Sequence, residues 1–350
     1  MKFTQERKEK IIHYLLQKID IEDREFIKKT AENFSISLAT VYRYLKELQI
    51  KKIISNDGSG EYKLVDRGKI KSYVLTDNLE EDIVYEDVMR EFINEFSNNI
   101  RKIWQYSFSE MFNNAIDHSE SENIFVHVRQ NYLYTEVVIM DEGVGIFNKI
   151  CNYFNYSKIE DAITELFKGK LTTDPERHSG EGIFFTSRIM DKFVLWSDNK
   201  IFTHDYDYDR LFDVEKVEKI NKYQGTYLVM RLSNYSKKEI IEVFDKYSSV
   251  EGGFTVTSIP IKNMFDNAYP VSRSQAKRLY NRLDSFEEVI LDFEGVESIG
   301  QGFAHELFVV FQREHPEVKI EIKNENEEVK KMIHHVCCGT SKKEIPTTSI

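Results

Sequence analysis

Apolar residues near the start of the chain recur at the spacing of amphipathic helices. In the segment 5–18, Ile11 and Leu15 fall on one face of a helix. The segments 23–33 and 38–48 show the same spacing and predict two further helices. The chain is therefore expected to begin with three short helices that bury their apolar faces against one another.

Two short apolar runs follow these helices, at 50–54 and 61–65, and the polar turn 56–60 separates them. This pattern predicts a β-hairpin. Three helices and a hairpin within residues 1–66 resemble a winged helix-turn-helix domain, whose third helix would enter the major groove of DNA. The side chains expected to face DNA are Ser37, Thr40, Tyr42, Arg43 and Lys46. A small protein-interaction or dimerisation module with a solvated basic face is the alternative.

The next part of the chain predicts helices and strands in an order typical of a two-layer α/β sandwich. Residues 67–84 are expected to be a linker, and helical spacing extends over 79–97 and 98–119. Strands are predicted at 124–129, 132–140, 193–197, 200–204 and 225–232, and helices at 159–168 and 181–192. We expect helices on one face of a mixed sheet.

The helix predicted over 98–119 carries three polar residues along an otherwise apolar and aromatic segment. Glu110, Asn114 and Asp117 stand at i, i+4 and i+7, so they fall on one face. Polar groups on a helix that packs through aromatic residues need partners. The Asn114 oxygen suits Mg²⁺, which prefers hard oxygen ligands. Glu110 suits a general base that orients water toward a phosphate, and Asp117 joins them as a candidate ligand-binding residue.

Four short motifs follow one another in a fixed order around this helix. They are Glu110-Met-Phe-Asn-Asn114-Ala, Asp141-Glu-Gly143-Val-Gly145, Gly180-Glu-Gly182 and Gly225-Thr226. Together they resemble the N box, the two glycine boxes and the late Gly-Thr of the GHKL or Bergerat-fold ATPases. That family includes gyrases, histidine kinases, MutL proteins and the ninety-kilodalton heat-shock chaperones. The resemblance covers residues 85–235 and implies ATP and Mg²⁺ as cofactors.

The resemblance also implies a role for each motif residue. Asn114 would ligate Mg²⁺, and Asp141 would accept the adenine amino group, with Thr226 supporting it through water. Gly143 and Gly145 would let the backbone turn beneath the base. Gly180 and Gly182 would open a helix whose N–H groups meet the phosphates. Glu110 matches the base of the hydrolytic members, although many histidine kinases also carry a carboxylate there.

The resemblance assigns residues 148–179 to an ATP lid. Lys168, Lys170 and Arg177 are the cations in that segment that would reach the γ-phosphate when the lid closes. No Gly-x4-Gly-Lys-Ser/Thr sequence occurs, so a P-loop is excluded as the source of nucleotide binding. No histidine lies between the winged helix and Glu110, which disfavours phosphotransfer in the manner of a histidine kinase.

Strands and helices alternate again over residues 250–338, which predicts a small α/β domain. The run Leu291–Phe303 resembles the STAS domain of anti-sigma-factor antagonists, in which a serine at a strand–helix turn is phosphorylated. Here Gly300-Gln301-Gly302 stands where that family has Asp-Ser-Ser. A STAS-like interaction domain without the phosphoswitch is therefore expected. Residues 339–350 are polar and are expected to be a disordered tail. Proteins that join such an ATPase module to a STAS-like tail are similar in organisation.

Composition and charge add a location and one possible partner. Among 350 residues, no apolar run of about 18 residues and no apolar leader occur, and only three cysteines are present. These features predict a cytoplasmic protein without a membrane span or a disulfide framework. Residues 1–71 hold 16 basic and 11 acidic residues, so they carry +5, while the remainder carries −16. A basic module on an acidic body indicates an anionic partner such as nucleic acid.

The sequence therefore predicts a multidomain α+β protein: a winged helix, a Bergerat-type α/β sandwich and a STAS-like domain. The function expected is that of a cytoplasmic regulator, most simply of transcription, in which Mg-ATP binding and possible hydrolysis control DNA or partner binding. Two other functions stay open: an anti-sigma-type protein serine kinase and a structural ATP-binding module without turnover. DNA, a protein bound to the STAS-like domain, and a second copy of the chain are the candidate partners.

Overall fold

A computed structural model describes residues 4–56, 58, 60–76, 78–171, 180–204, 224–249, 252–265 and 269–338. Arg177, most of the expected tip of the lid and the expected tail 339–350 lie outside the described residues. Within the described residues, no helix combines the length and apolarity needed to cross a membrane.

The first part of the chain, here called the N-terminal unit, contains the predicted helices and hairpin. Its helices are α1 (Gln5–Asp20), α2 (Phe26–Asn33) and α3 (Leu38–Ile50), and its antiparallel strands are β1 (Ile54–Asn56) and β2 (Tyr62–Leu64). Ser37 caps α3, because its hydroxyl accepts a hydrogen bond from the Thr40 N–H at 3.3 Å. The predicted order of three helices followed by a hairpin is confirmed, while the winged-helix assignment stays a prediction.

A six-stranded sheet forms the centre of the molecule, here called the central unit. Its order is β3-β4-β5-β8-β6-β7. The strands are β3 (Arg67–Val74), β4 (Asn123–Gln130), β5 (Tyr134–Asp141), β6 (Lys192–Ser197), β7 (Lys200–Thr203) and β8 (Thr226–Ser233). Every neighbouring pair is antiparallel. The prediction of a mixed sheet is therefore wrong. β4–β5 and β6–β7 are antiparallel hairpins, and β8 lies between β5 and β6 and is antiparallel to both.

The expectation of a linker at 67–84 is also wrong. Residues 67–74 form β3, which pairs along its whole length with β4, and a helix begins at Glu81. The alternation of Ile70, Ser72 and Val74 with half-buried residues places these three on the exposed side of an edge strand. A half-exposed edge strand with lysines has a weak apolar signal, so the pattern resembled a polar connector.

The helices of the central unit pack on one face of the sheet, as predicted. They are α4 (Glu81–Ile93), α5 (Asn98–His118), α6 (Ile146–Phe154), α7 (Ile159–Lys168), α8 (Gly182–Ile189) and α9 (Ile240–Tyr247). In α5 the buried positions include Ile103, Trp104, Phe108 and Phe112, which form its core face. Helices α6 and α9 were not predicted from the sequence.

The N-terminal unit is attached to the sheet by more than its covalent connection. Leu133, in the turn between β4 and β5, is buried within the apolar core of the N-terminal unit. The Tyr134 hydroxyl donates to the Asp20 carboxylate at 3.2 Å, and His13 meets the Tyr235 ring edge-on at 5.2 Å. Burial raises the pKa of the Asp20 carboxyl, while Arg231 opposes the shift. These contacts fix α1 against one end of the sheet.

Residues 252–338, here called the C-terminal unit, contain a parallel sheet in the order β11-β12-β13. The strands of this sheet are β11 (Val256–Pro260), β12 (Glu288–Asp292) and β13 (Lys319–Lys323). Before it, β10 (Gly253–Phe254) pairs separately with β9 (Ser248–Ser249). Its helices are α10 (Ile261–Met264), α11 (Arg273–Tyr280), a 3-10 turn (Leu283–Ser285), α12 (Gln301–His305), a π-helix (Glu306–Phe311), α13 (Gln312–Glu314) and α14 (Glu327–Cys338). The predicted alternation of strands and helices is confirmed.

Candidate functional site

Asp141 lies at the end of β5, where it faces Thr226 at the start of β8. Its side chain is only 4% exposed, and its Oδ1 accepts the N–H groups of Gly143 and Thr226 at 3.0 and 3.2 Å. Burial raises the pKa of the Asp141 carboxyl, and these two hydrogen bonds oppose the shift. The carboxylate is therefore held in a fixed position at the end of two central strands, β5 and β8.

Three glycines around Asp141 stand where no side chain fits. A Cβ on Gly143 would lie 1.8 Å from the Ser119 carbonyl oxygen, and one on Gly225 would lie 2.0 Å from the Asp141 carbonyl oxygen. Gly145 and Gly225 also have φ values of +80° and +110°, a region that side chains other than glycine rarely adopt. These glycines let the turn after β5 lie against the end of α5, where Val144 N–H donates to Ser119 at 2.9 Å.

A narrow cavity of about 50 Å³ opens beside Asp141. This volume is large enough to hold water. Apolar residues from α5, β5, α6, α8 and the central strands make most of its wall, and few polar groups point in. Its lining comprises Met111, Asn114, Ala115, His118, Ser119, Ile139, Asp141, Ile146, Ile183, Leu195, Thr226 and Leu228.

The cavity brings together three of the residues that the sequence singled out: Asn114, Asp141 and Thr226. Asp117 is exposed and does not line it; His118 does. The reason is helical geometry. Around the axis of α5, His118, four residues after Asn114, lies closer to Asn114 than Asp117 does, which is three residues after it and on the other side. Asp117 is therefore not part of this cavity, its expected contact with ATP stays a prediction, and the spacing of His118 from Asn114 was the missed signal.

Glu110 lies at the other end of this region, beside the start of α8. A Cβ on Gly182 would fall 2.2 Å from the Glu110 Oε2, so the carboxylate occupies the space that a side chain would need. A carboxylate near a helix N-terminus is favoured by the helix dipole. Gly180 has a φ of +72°, and its carbonyl accepts the Leu171 N–H at 3.1 Å. Glu110, Gly180 and Gly182 are thus brought together as the sequence predicts.

Lys168 is not directed toward this site. Its side chain is 1% exposed, and its Nζ donates to Glu165 at 2.6 Å and to the carbonyls of Arg278 and Asn281 at 3.1 and 2.6 Å. Burial lowers the pKa of Lys168, and the Glu165 carboxylate opposes that shift. The expectation that Lys168 is a loop cation near a phosphate is wrong here, because it ends a helix that is buried against the C-terminal unit.

Lys170 is likewise directed toward the C-terminal unit. Its Nζ donates to the Ser285 carbonyl at 2.8 Å and lies 4.5 Å from the centre of the Phe286 ring. Burial lowers the pKa of the Lys170 amine, while Glu181 and Glu287 oppose the shift. In this arrangement the Lys170 amine is bonded to the C-terminal unit, and its expected contact with a phosphate stays a prediction.

The residues predicted to face DNA lie on the outer side of α3. Tyr42, Arg43 and Lys46 are exposed, and the Arg43 guanidinium lies 5.4 Å from the Tyr44 ring centre. Ser37 and Thr40 share a 3.0 Å hydrogen bond between their hydroxyls at the start of the helix. The same exposed side carries Leu38 and Ile50, which are 52% and 74% exposed. Neither apolar residue was among those predicted to face DNA.

At the start of α12, Gly300 lies against the segment before α11. A Cβ on Gly300 would fall 2.6 Å from the Val271 Cα, and the Gly300 N–H donates to the Pro270 carbonyl at 2.8 Å. The turn that the sequence resemblance aligns with the serine turn of STAS domains is thus covered by the chain itself. A larger residue at position 300 would have to displace the backbone of Val271.

One comparison with known proteins bears on the C-terminal unit. Residues 275–330 match the family model described as "STAS-like domain of unknown function (DUF4325)". A search of the curated proteins finds no match for the chain. The C-terminal unit is therefore a STAS-like domain, within a protein of mixed α+β class, and STAS-like domains are protein-interaction domains. We refer to it below as the STAS-like domain.

Proposed function

We propose that the chain is an ATP-dependent regulator whose central unit is a GHKL-type, Bergerat-fold nucleotide-binding domain. The supporting observation is the buried Asp141 carboxylate, held by two backbone N–H groups at the wall of a mostly apolar cavity. Such a fixed acceptor suits the exocyclic amino group of adenine, because a purine needs apolar walls and a few well-placed polar atoms.

The metal and phosphate end of the proposed site lies between α5 and α8. Asn114 lines the cavity one helical turn from Glu110, and its side-chain oxygen is the proposed Mg²⁺ ligand. The start of α8, with Gly180 and Gly182, offers backbone N–H groups for phosphate oxygens. Glu110 lies at this same end, where a general base would meet a water molecule near the γ-phosphate. Hydrolysis of ATP is therefore the proposed chemistry.

The direct test measures Mg-ATP binding by calorimetry and release of phosphate for the wild type and two variants. Asp141→Asn should weaken binding at least about tenfold, because the amide cannot offer the adenine a charged acceptor. Glu110→Gln should retain binding and lose most of the turnover. Equal affinity of Asp141→Asn and wild type would contradict the proposed site.

Glu142→Gln is the matched control for both variants. Glu142 follows Asp141 directly, is exposed and does not line the cavity, so the same loss of one negative charge should leave binding and turnover unchanged. A wild type and Glu110→Gln protein that both bind ATP without releasing phosphate would favour the structural ATP-binding module.

The regulated activity that we propose is DNA binding by a winged helix formed by the N-terminal unit. Its support is the exposed set of Arg43, Lys46 and Tyr42 on α3, together with the positive charge of residues 1–71. Leu133 and Tyr134, at the start of β5, contact this unit. Through these contacts, a change in the sheet on nucleotide binding would alter the position of the DNA-binding helix or of a dimer contact.

The DNA proposal is tested by fluorescence anisotropy with a pool of random duplexes, with and without Mg-ATP. Arg43→Ala and Lys46→Ala should each weaken binding and reduce its salt dependence. Lys10→Ala removes an exposed lysine on α1 and should have less effect, so it serves as the control. The proposal is wrong if the wild type does not bind DNA at low salt, and the regulatory part is wrong if ATP leaves DNA affinity and oligomeric state unchanged.

The STAS-like match gives specific support to a second candidate, a protein serine kinase of the anti-sigma type. Gln301 and Gly302, which stand at the positions of the two serines, carry no hydroxyl, so the acceptor would be a serine on another protein. Transfer of label from γ-labelled ATP to a protein partner would favour the kinase. Release of free phosphate alone would favour the ATPase.

A further inference from the structure

Helix α7 lies between the central unit and the STAS-like domain. All of its residues from 162 to 168 are buried, including a glutamate and a lysine. The side chains of Glu165 and Lys168 are 3% and 1% exposed, and they form an ion pair of 2.6 Å. A buried ion pair costs desolvation unless its remaining donors and acceptors are satisfied. The partners that satisfy this one identify what α7 is bound to.

Those partners come from the STAS-like domain. The Lys168 amine donates to the carbonyls of Arg278 and Asn281, at the end of α11. The second oxygen of Glu165 accepts the Arg282 guanidinium at 3.0 Å. On the other side of the helix, the Lys168 carbonyl accepts the hydroxyl of Thr257, in β11, at 2.7 Å. The STAS-like domain therefore holds both the side chains and the C-terminal end of α7.

The same contacts continue past the end of α7 toward the nucleotide region. Arg282 also donates to the Lys170 carbonyl at 2.7 Å, and the Lys170 amine donates to Ser285. The next residue, Leu171, is bonded to Gly180, which precedes the start of α8. Only two hydrogen-bonded steps thus separate the STAS-like domain from the glycines that lie beside Glu110.

We propose that the STAS-like domain regulates the nucleotide site in cis, by holding α7 and Lys170 so that its docking and the binding of Mg-ATP oppose each other. The proposal rests on the proposed function of the central unit. The Lys170 amine is held between the Ser285 carbonyl and the face of the Phe286 ring. A phosphate that recruits this amine has to draw it away from the STAS-like domain, so nucleotide binding and docking weaken each other. A partner protein that binds the face of the STAS-like domain now occupied by α7 would accordingly raise ATP affinity.

Thermodynamic linkage gives this competition a sign. If docked and undocked arrangements exchange and ATP prefers the undocked one, weakening the docked arrangement increases the population that is competent to bind. The apparent affinity then rises although no residue of the cavity has changed. Linkage is reciprocal, so Mg-ATP must weaken docking of the STAS-like domain by the same factor.

The test uses the full chain and measures the Kd for Mg-ATP by calorimetry. Arg282→Gln removes the contacts to Glu165 and the Lys170 carbonyl, but leaves the Glu165–Lys168 pair intact. We expect its Kd to fall about fivefold or more, at the lower end of measured allosteric couplings. In the wild type, Mg-ATP should also increase amide hydrogen exchange in residues 273–285.

Arg313→Gln is the matched control, because Arg313 is exposed on α13 of the same domain and the same substitution there should leave the Kd unchanged. Thr257→Val is a second, nearly isosteric variant that removes one interdomain hydrogen bond, and it should lower the Kd by a smaller factor. Folding of each variant is checked by its Tm.

Two negative results have different meanings. If the wild type binds Mg-ATP and both Arg282→Gln and Thr257→Val bind it with the same Kd, the coupling is overturned while the proposed function stands. If the wild type binds no Mg-ATP, the proposed function fails, and the coupling fails with it.

Discussion

Two regions of the molecule are held in different ways: the Asp141 end of the proposed nucleotide site, here called the backbone end, and the junction of α7 with the STAS-like domain, here called the side-chain end. The end at Asp141 is shaped by backbone: Gly143 and Gly225 leave no room for a Cβ, and backbone N–H groups hold the carboxylate. The end at α7 is held by long side chains, above all Lys168 and Arg282, that reach into another domain. Backbone packing allows one arrangement, whereas side-chain ion pairs can exchange partners. The first end is therefore suited to recognition and the second to regulation.

The largest predicted effect breaks the side-chain end. Lys168→Met leaves the buried Glu165 carboxylate with Arg282 and Asn281 as hydrogen-bonding partners, and removing one partner of a buried ion pair typically costs about 3–5 kcal/mol. We expect a loss of this size in the free energy of unfolding, measured by urea denaturation. If the urea denaturation curve of this variant also shows more than one transition, the STAS-like domain dissociates from the central unit before the rest unfolds.

Lys200→Met is the matched control for that variant. Lys200 pairs at 2.9 Å with Glu160, also on α7, but both side chains are more than a third exposed. Exposed ion pairs contribute at most about 1 kcal/mol, so the same substitution should have little effect on unfolding. If the two variants were equally destabilised, burial would not make the Glu165–Lys168 pair stronger than the Glu160–Lys200 pair. The claim that buried side-chain pairs hold α7 would then be wrong.

The second prediction breaks the backbone end. Gly225→Ala places a Cβ 2.0 Å from the Asp141 carbonyl oxygen and forces alanine to a φ of +110°. Overpacking and left-handed backbone together should cost about 3 kcal/mol of unfolding free energy. Mg-ATP binding should also be lost, because the displaced strand carries Thr226.

Gly253→Ala measures the cost of the left-handed backbone conformation without the steric clash. Gly253 also has a positive φ, +66°, but a Cβ there meets nothing within 4 Å. The cost should therefore be about 1–2 kcal/mol, from conformation alone. A loss from Gly253→Ala as large as that from Gly225→Ala would mean that close packing at Asp141 contributes nothing.

The same difference explains how much the sequence could predict. Asp141, Gly143 and Gly225 were identified through the motif resemblance, and such a motif is recognisable because close backbone packing restricts these positions to particular residue types. Lys168 and Lys170 were misplaced because nothing local in a Lys-Gly-Lys segment shows that a domain more than 80 residues later supplies their partners. Long-range ion pairs leave no periodic signal.

The fold shows the same limit. Helix α5 and strand β5 carry strong periodic or continuous apolar patterns, and both were predicted within two residues of their observed bounds. Strand β3 is half exposed and pairs with β4, almost 50 residues distant, so its pattern resembled a linker. The direction of the strands in the central sheet also depended on the position of β8 between β5 and β6, which no local pattern specifies.

The third prediction separates stability from function at Asp141. Burial raises the pKa of this carboxyl, so its contribution to stability is present below its unfolded pKa and is lost as the pH rises through the folded value. Asp141→Asn removes that penalty and should slightly raise the Tm at neutral pH, with a smaller gain in acid, although ATP binding is lost. A Tm that falls most at neutral pH would show that the charged carboxylate stabilises the fold.

The smallest predicted effect tests a single side-chain hydrogen bond within the backbone end. The Thr226 hydroxyl accepts the Ile146 N–H at 3.2 Å, where α6 begins after the glycine turn. Thr226→Val leaves that donor without its partner and should cost about 1 kcal/mol, whereas Thr226→Ser keeps the hydroxyl and should cost less. Urea denaturation measures both. If Thr226→Val destabilised the protein more than Gly225→Ala, side-chain bonding rather than backbone packing would hold this end as well, and the two ends would no longer differ in kind.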